Sequence, residues 1–396
     1  DQEQAGVIGE IQTTLAGQTL LAGWWAQRIE TIPPPLSQKV YNLTSSGDLS
    51  FARWAILAEM GKRDYRSPYL TVSGSQGALS YSVGARYLRF TLPGISSYAG
   101  ASIGDISRDA ALARGPALNP ALSTQTATFD ALLPSLSLQW KLSPQLDARL
   151  AAGRTVGNPW VGPLYSSYMN SVSRFQAAGV SLQKLWNNLR LEKADTLDLG
   201  LAWRNERLSL APTLYYTRFK DKQVTAFDPA VGVAYLQNGT DAHAYGAELE
   251  AVWRASPAWN LLGSVSWNVN TLDNAIQSGA GAQIATRGKQ VPDTPHWLAK
   301  LGVSYRQDAW QISPMLRYIG KRYGDALNTE KVAGYAIADL HASYQFGRQG
   351  GFAWLALGAS VLNLFDKRYV SYQSSNVYAR VLETGRNFKL SLSAAL

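Results

Sequence analysis

The residue types that most often take part in catalysis or metal binding are scarce and scattered in this chain. Its three histidines, His243, His296 and His341, lie far apart in the sequence. None has a serine, an acid or a second histidine at a spacing typical of a hydrolase or a zinc enzyme. The chain also has no cysteine and no glycine-rich phosphate loop. We therefore predict that the protein is not an enzyme and needs no cofactor or resident metal.

Charged residues instead alternate with apolar ones along predicted strands. Leu197, Leu199 and Leu201 fall on one side of such a strand, and polar residues fall on the other. A period of two is typical of a strand with one apolar and one polar face. The charges on polar faces are Asp198, Arg204, Glu248, Glu250, Arg254, Lys300, Arg306, Arg317 and Asp339. We predict that they face a water-filled interior and form salt bridges there; a path for an anionic ligand is the alternative.

The predicted strands come in pairs, each joined by a tight turn, with longer polar loops between pairs. The pairs cover residues 6–15 with 18–29, 65–73 with 78–90, 132–142 with 145–156, 197–203 with 208–216, 243–254 with 259–271, 294–306 with 309–321, and 334–346 with 352–363. A last strand covers residues 387–396. This gives about fifteen strands with short turns at one end and long loops at the other, the layout of a transmembrane antiparallel β-barrel. Residues 51–60 fit either a short helix or a poor strand.

Composition points to a membrane as well. Charged residues make up only 16% of the chain, against about 25% in soluble domains. The 13 Trp and 20 Tyr outnumber the 10 Phe, a bias typical of residues at a lipid–water boundary. No apolar run is long enough for a transmembrane helix. We expect a girdle of tryptophans at the membrane surface, formed by Trp24, Trp25, Trp203, Trp253, Trp267, Trp297 and Trp310.

The net charge of +9 comes from Lys and Arg residues spread singly along the chain. Nucleic-acid binding normally needs a basic cluster or a basic helix, so this function is excluded. We expect the positive charge to attract an anionic solute or lipopolysaccharide.

Several local motifs resemble the C-terminal part of TonB-dependent outer-membrane receptors. The strongest is Asn-Leu-Phe-Asp-Lys-Arg-Tyr at residues 363–369, followed by Gly-Arg-Asn at residues 385–387. Gly-Ala-Glu-Leu-Glu at residues 246–250, Pro-Asp-Thr-Pro at residues 292–295 and Tyr-Ile-Gly-Lys-Arg-Tyr at residues 318–323 recur in the order that the family shows. Each motif alone is loose, but their order and spacing make the resemblance specific.

The resemblance implies an all-β chain that supplies the C-terminal portion of a 22-stranded barrel. It also implies an outer-membrane location and uptake of a scarce ligand, such as an iron–siderophore or a similar metal chelate, energised through TonB. The family's plug domain and TonB-contacting box have no counterpart in residues 1–396, which we interpret as one barrel domain. Contact with the TonB complex therefore requires a plug and coupling box upstream.

Ligand recognition in this architecture falls to the extracellular loops, because they meet a solute first. Two predicted loops combine aromatic residues with arginine, a combination that suits a flat anionic chelate such as a ferric catecholate. The candidate ligand-binding residues are Trp160, Tyr165, Tyr168, Arg174, Tyr372, Tyr378 and Arg380. The alternative to a receptor is a plugless diffusion porin with a preference for anions.

Overall fold

The chain folds into one long antiparallel sheet, seen in a computed structural model that describes residues 2–31, 37–374 and 379–395. The sheet has 15 strands, and sheet neighbours follow one another in chain order. They are β1 (Gln2–Leu15), β2 (Gln18–Thr31), β3 (Arg63–Gln76), β4 (Leu79–Leu92), β5 (Ala127–Lys141), β6 (Leu146–Gly157), β7 (Glu192–Arg204), β8 (Leu208–Asp228), β9 (Val233–Arg254), β10 (Trp259–Leu272), β11 (Trp297–Gln307), β12 (Trp310–Ile319), β13 (Tyr335–Gln349), β14 (Phe352–Leu362) and β15 (Asn387–Ala395). The predicted strands and their pairing are confirmed.

Tight turns join the strands at one end of the sheet. The β1–β2 turn consists of Ala16 and Gly17, with φ values of 51° and 76°. Two consecutive residues with positive φ match the right-handed twist of a two-residue hairpin, and glycine adopts this conformation without strain. The connections at the opposite end are longer and contain all the helices that the structure describes.

One face of the sheet is apolar, and we call it the apolar face. Because directly paired residues point to the same side, the register connects Leu199 to Leu214, then to Ala247, Trp267 and Trp297 across five strands. Leu199 is 47% exposed and Leu214 is 59% exposed. Apolar side chains exposed over such a wide surface are typical of a wall that contacts lipid.

The opposite face, which we call the charged face, bears polar residues and contacts the loops. Trp25 belongs to this face, so its assignment to the tryptophan girdle is wrong. Its ring packs against Tyr65, with ring centroids 5.8 Å apart. Trp24 points to the apolar face and is 44% exposed, because successive residues of a strand alternate in direction.

The long connections contain short helices and two-stranded hairpins. The helices are α1 (Arg108–Ala113), α2 (Val161–Met169), α3 (Val172–Ala177) and α4 (Leu182–Asn187), with a 3-10 turn at Pro120–Leu122. The loop strands are Gln38–Leu43, Leu49–Ile56, Ala58–Met60, Ile95–Ser97, Ile276–Gln277, Gln283–Ile284, Arg322–Tyr323, Lys331–Val332, Val370–Ser374 and Ala379–Leu382. Residues 51–60 are therefore strand, and the helical alternative is wrong.

The main hydrophobic core lies at the long-loop end, where α2–α4 pack against the charged face. Phe175, Trp186 and Tyr165 from these helices join Phe90 and Tyr65 of the wall in one buried cluster, which we call the loop core. Phe90 stacks on Tyr65 with ring centroids 4.7 Å apart. The loops therefore fold inward over one end of the sheet instead of extending away from it.

The first and last strands of the sheet do not pair with each other. Within the described ranges, β1 has only β2 as a neighbour and β15 has only β14. None of the helices described in these ranges is long and apolar enough to cross a membrane.

Candidate functional site

The charged face brings several predicted interior residues into one cross-strand row. Glu250 pairs with Ser264, Ser264 with Lys300, and Lys300 with Arg317. Directly paired positions lie about 5 Å apart, so the cations Lys300 and Arg317 are direct neighbours, whereas Ser264 separates Glu250 from them. The register places the remaining predicted residues on the same face: Asp198, Arg204, Glu248, Arg254 and Arg306.

Some of these charges have identifiable partners. Glu248 accepts a hydrogen bond from Ser266 at 2.8 Å. Arg306 donates to Gln311 at 2.7 Å. Arg204 lies 4.0 Å from Asp147, and both side chains belong to neighbouring strands. The face is thus a network of polar contacts along a wide surface and does not form a compact cluster.

Asp339 connects this network to the residue 363–369 motif. One carboxylate oxygen accepts from Arg317 at 2.9 Å, and the other accepts from the backbone N–H of Asn363 at 2.8 Å. Asn363 adopts φ of 52°, a left-handed conformation that asparagine tolerates better than most residues. Its side chain then bonds the backbone of Lys367 in both directions.

The two halves of that motif contact each other. The Asp366 carboxylate accepts from the backbone N–H of Arg386 at 2.8 Å. A Cβ at position 385 would displace this carboxylate from its present position, so glycine permits the contact. These contacts fix the point where the chain leaves β14 and returns into β15, which explains the spacing of the motif physically.

Arg322 holds three loops together. Its guanidinium is almost fully buried and pairs with Asp293. Nη2 also donates to the carbonyls of Val370 at 3.2 Å and Ser371 at 2.6 Å. From the sequence, Arg322 could be recognised only as part of the motif at residues 318–323. The burial of a single cation produces no periodic pattern in the sequence, so its role could not be predicted.

The predicted ligand-binding residues divide by exposure. Trp160 is 68% exposed, whereas Tyr165 and Tyr168 are each 1% exposed inside the loop core. Burial in this apolar core raises the pKa of Tyr165 to about 12. Buried rings cannot stack on a solute, so we assign Tyr165 and Tyr168 a packing role.

Tyr372 and Arg380 lie on the loop hairpin formed by Val370–Ser374 and Ala379–Leu382, in a register that pairs Tyr372 with Val381. Tyr378 lies outside the described residues.

Arg174 lines an open cleft of about 410 Å³ at the long-loop end. Its Nη1 donates to the Gly232 carbonyl at 3.1 Å, which leaves other guanidinium donors available. Phe227, Asp325 and Glu330 also line the cleft. The cleft falls within the size range of small-molecule sites, roughly 300–1,000 Å³.

Sequence reasoning did not single out Phe227, Asp325 or Glu330. Phe227 is 48% exposed, and one Glu330 oxygen is buried without a partner. Asp325 accepts from the N–H of Glu330 at 2.7 Å and thereby shapes its loop. Asp325 and Glu330 lie beside Arg174, so the cleft contains both signs of charge, and Phe227 adds an aromatic ring. This combination suits a polar chelate.

The histidines do not form a catalytic group in the described part of the chain. His243 contacts Asp273 at 2.6 Å, His341 contacts Ser360 at 2.9 Å, and His296 contacts Gln290 at 3.1 Å. These are separate pairs, and none has the third member that a serine hydrolase needs. No group of three or more possible metal ligands occurs among the same residues.

Comparison with known protein families identifies the family to which this sheet belongs. Residues 10–364 match the family described as "TonB dependent receptor-like, beta-barrel". The chain belongs to this family. It is therefore an outer-membrane protein of a receptor family, as the sequence motifs predicted, and its relatives are receptors and transporters, not enzymes.

Individual relatives are distant. The pesticin receptor of Yersinia enterocolitica is 30% identical over 190 residues, which cover 47% of this chain and 26% of that receptor. The copper transporter OprC aligns with a TM-score of 0.69 at 16% identity and covers 99% of this chain and 56% of OprC. The ferric yersiniabactin uptake receptor of Yersinia pestis gives a TM-score of 0.68 at 16% identity and covers 98% and 53%.

The structural matches at this identity show a shared fold. The chain spans about half the length of these TonB-dependent receptor structures.

Proposed function

We propose that this chain forms the barrel wall and extracellular loops of a receptor that imports a small metal chelate, with energy supplied through TonB. The observation that supports this most directly is the cleft of about 410 Å³ beside Arg174 and Phe227. It lies among inward-folded loops of a wall that belongs to the receptor family. A binding cleft at the mouth suits capture of a scarce solute, whereas a diffusion porin needs only an open path.

The chemistry of the cleft suits a metal chelate of mixed polarity. Arg174 supplies donors to carboxylate or catecholate oxygens. Phe227 offers exposed aromatic surface for stacking inside the cleft, and Trp160 offers a second exposed ring outside the cleft lining. Asp325 and Glu330 supply acceptors for hydroxyl or amine groups of the chelator. The relatives named for ferric yersiniabactin and copper support a metal-containing ligand for this chain as well.

We further propose that Asp198, Arg204, Glu248, Glu250, Arg254, Lys300, Arg306 and Arg317 line the barrel lumen. Their shared face is supported by the register, which sets them opposite the apolar leucines. Their charged groups remain hydrated in the lumen and form salt bridges with the plug that fills the pore. Contact with outer-membrane lipid follows from the apolar face, and contact with TonB would require a plug and coupling box.

Uptake assays test the proposal. Cells that express the receptor from its own gene are compared with a gene deletion and with a TonB-deficient strain under iron limitation. The probes are ferric catecholate, ferric yersiniabactin, a copper chelate and cyanocobalamin. We expect saturable uptake of at least one metal chelate that is lost in both mutant strains.

Uptake that persists without TonB and rises linearly with concentration would contradict the proposal and favour a diffusion porin. Conductance across planar bilayers gives an independent check, since a porin shows a stable open pore.

A further inference from the structure

A cluster of cations lies on the apolar face, at the long-loop ends of β6, β7 and β8. Along β8 the residues on this face are Leu214, Tyr216, Arg218 and Lys220, in that order toward the loops. An aliphatic residue, an aromatic residue and then cations reproduce the order of a membrane: acyl chains, interface and headgroups. The cations therefore lie at the depth of lipid headgroups.

The register defines the cluster. Arg154 pairs with Asp195, and Asp195 pairs with Arg218 in the same row. In the next row on this face Lys193 pairs directly with Lys220. We call Arg154, Lys193, Arg218 and Lys220 the cationic patch. It holds four positive charges around the single carboxylate of Asp195.

That carboxylate is already engaged. Arg154 binds it through two hydrogen bonds of 2.6 and 2.8 Å. Within residues 2–31, 37–374 and 379–395, no ion pair is found for Lys193, Arg218 or Lys220. Like charges directly opposite each other destabilise a sheet, so the Lys193–Lys220 pair needs an anion from elsewhere.

The charged face provides a contrast at the same height. Lys222, close to Lys220 in sequence, lies 3.0 Å from the Glu192 carboxylate. Glu192 thus neutralises Lys222 on the charged face, whereas Lys193, Arg218 and Lys220 on the apolar face have no ion-pair partner among the described residues. An anion that neutralises these three cations has to come from outside the described part of the chain.

A second like-charge pair occurs on the same face. Arg66 of β3 pairs directly with Arg89 of β4. Arg89 lies 3.8 Å from Asp130, and no ion pair is found for Arg66 in the described ranges. Positive charge that exceeds the nearby negative charge is therefore also found on β3 and β4, on the same face of the sheet.

We propose that the cationic patch binds the phosphate groups of a phosphorylated lipid in the outer leaflet of the outer membrane. Phosphate matches the patch because it bears more than one negative charge and several acceptor oxygens, so that Lys193, Lys220 and Arg218 bind it together. The lipid's acyl chains would lie along Tyr216 and Leu214. The inference needs the outer-membrane location but does not depend on the ligand that the receptor imports.

Native mass spectrometry of the purified receptor in detergent tests this site. The probes are bis-phosphorylated lipid A, lipid A without phosphate, and inorganic phosphate. The test variant combines Lys193→Gln, Arg218→Gln and Lys220→Gln. The matched control removes three exposed cations from the charged face by Lys141→Gln, Arg149→Gln and Lys389→Gln. A charge-keeping variant combines Lys193→Arg, Arg218→Lys and Lys220→Arg.

We expect the test variant to bind bis-phosphorylated lipid A roughly a hundredfold more weakly, because each cation near a membrane surface contributes about a factor of five. The control and charge-keeping variants should bind as the wild type does. Heat-dependent gel mobility reports whether each variant is folded. If the triple variant does not fold, Lys220→Gln alone should weaken binding about fivefold.

Equal binding of lipid A with and without phosphate would overturn the proposal, as would unchanged binding by the folded test variant. Displacement of lipid A by millimolar inorganic phosphate would show a site for a soluble anion and would also overturn it.

Discussion

The buried guanidinium of Arg322 donates from Nη2 to the carbonyl of Ser371 at 2.6 Å and so holds a loop hairpin that lies almost fifty positions further along the chain. The same nitrogen reaches the carbonyl of Val370 at 3.2 Å. Asp293, from a third loop, pairs with Nε. The long loops around this residue are therefore connected through one side chain.

We predict that Arg322→Ala loosens the hairpin formed by Val370–Ser374 and Ala379–Leu382 while leaving the sheet intact. The substitution removes the hydrogen bonds to two carbonyls and leaves the Asp293 carboxylate without its cation. Hydrogen exchange should become at least about tenfold faster in this hairpin, which corresponds to roughly 1.4 kcal/mol. Lys331→Ala, at an exposed position nearby, is the control. Equal exchange rates in both variants would refute the role of Arg322.

We predict opposite outcomes for arginine at two adjacent positions of β7. Leu199→Arg places a cation on the apolar face and should destabilise the membrane-inserted protein by about 2–4 kcal/mol. Asp198→Arg places it on the charged face and should cost little. Urea unfolding in lipid vesicles measures both variants. The assignment of the faces would be wrong if Asp198→Arg were the more damaging change.

We predict that Tyr165 makes the loop core sensitive to alkaline pH. Burial raises its pKa to about 12, whereas in the unfolded chain a tyrosine titrates near pH 10. Its contribution is complete below pH 10 and is lost as the pH rises to 12, where the unfolded state has already released its proton. The loss amounts to about 2–3 kcal/mol.

Tyr165→Phe tests this directly. Its hydroxyl is buried without a well-formed hydrogen bond, so the variant should be at least as stable as the wild type at pH 7. Near-ultraviolet circular dichroism between pH 9 and 12 should show loss of the loop core at a higher pH in the variant. Tyr235, whose pKa burial also raises, remains in both proteins, so a difference between them reports Tyr165 alone.

We predict that Trp160→Ala combined with Arg174→Ala lowers uptake of the imported metal chelate at least about tenfold, since it removes an exposed aromatic ring of the β6–β7 loop and the Arg174 donors of the cleft. Thermal stability should stay close to that of the wild type, because both side chains are exposed. Leu118→Ala with Arg114→Ala changes two exposed residues of another loop and serves as the control. Equal uptake by the two double variants would remove Trp160 and Arg174 from the ligand site.

Side-chain alternation predicted the wall of this protein well, because lipid contact imposes it on every strand. Leu197, Leu199 and Leu201 could be placed on one face without coordinates, and so could the charges opposite them. The predicted strand ended at Tyr216, whereas β8 continues to Asp228. A bulge near Lys222 shifts the register there, and Asp221 adopts φ of 54°, so the period of two is interrupted.

The loop site was much harder to predict. Helices α2–α4 have only six to nine residues each, too few turns for a helical period to stand out. Aromatic residues near an arginine suggested ligand contact equally for Trp160 and Tyr165. Only packing distinguishes them, since Tyr165 enters the loop core and Trp160 does not. Phe227 reaches the cleft from the end of β8 and Glu330 from the loop between β12 and β13, a proximity that spacing in sequence does not encode.

In the described part of the chain, each strand of the sheet pairs only with the wall strands that come just before and after it in the sequence. Strands can therefore join the sheet one hairpin at a time in chain order, because each new strand pairs with the strand formed just before it and needs no partner that is distant in sequence. Interrupting the middle of the chain would leave an ordered stretch on either side of the break. Such a wall is suited to insertion that proceeds step by step from one end.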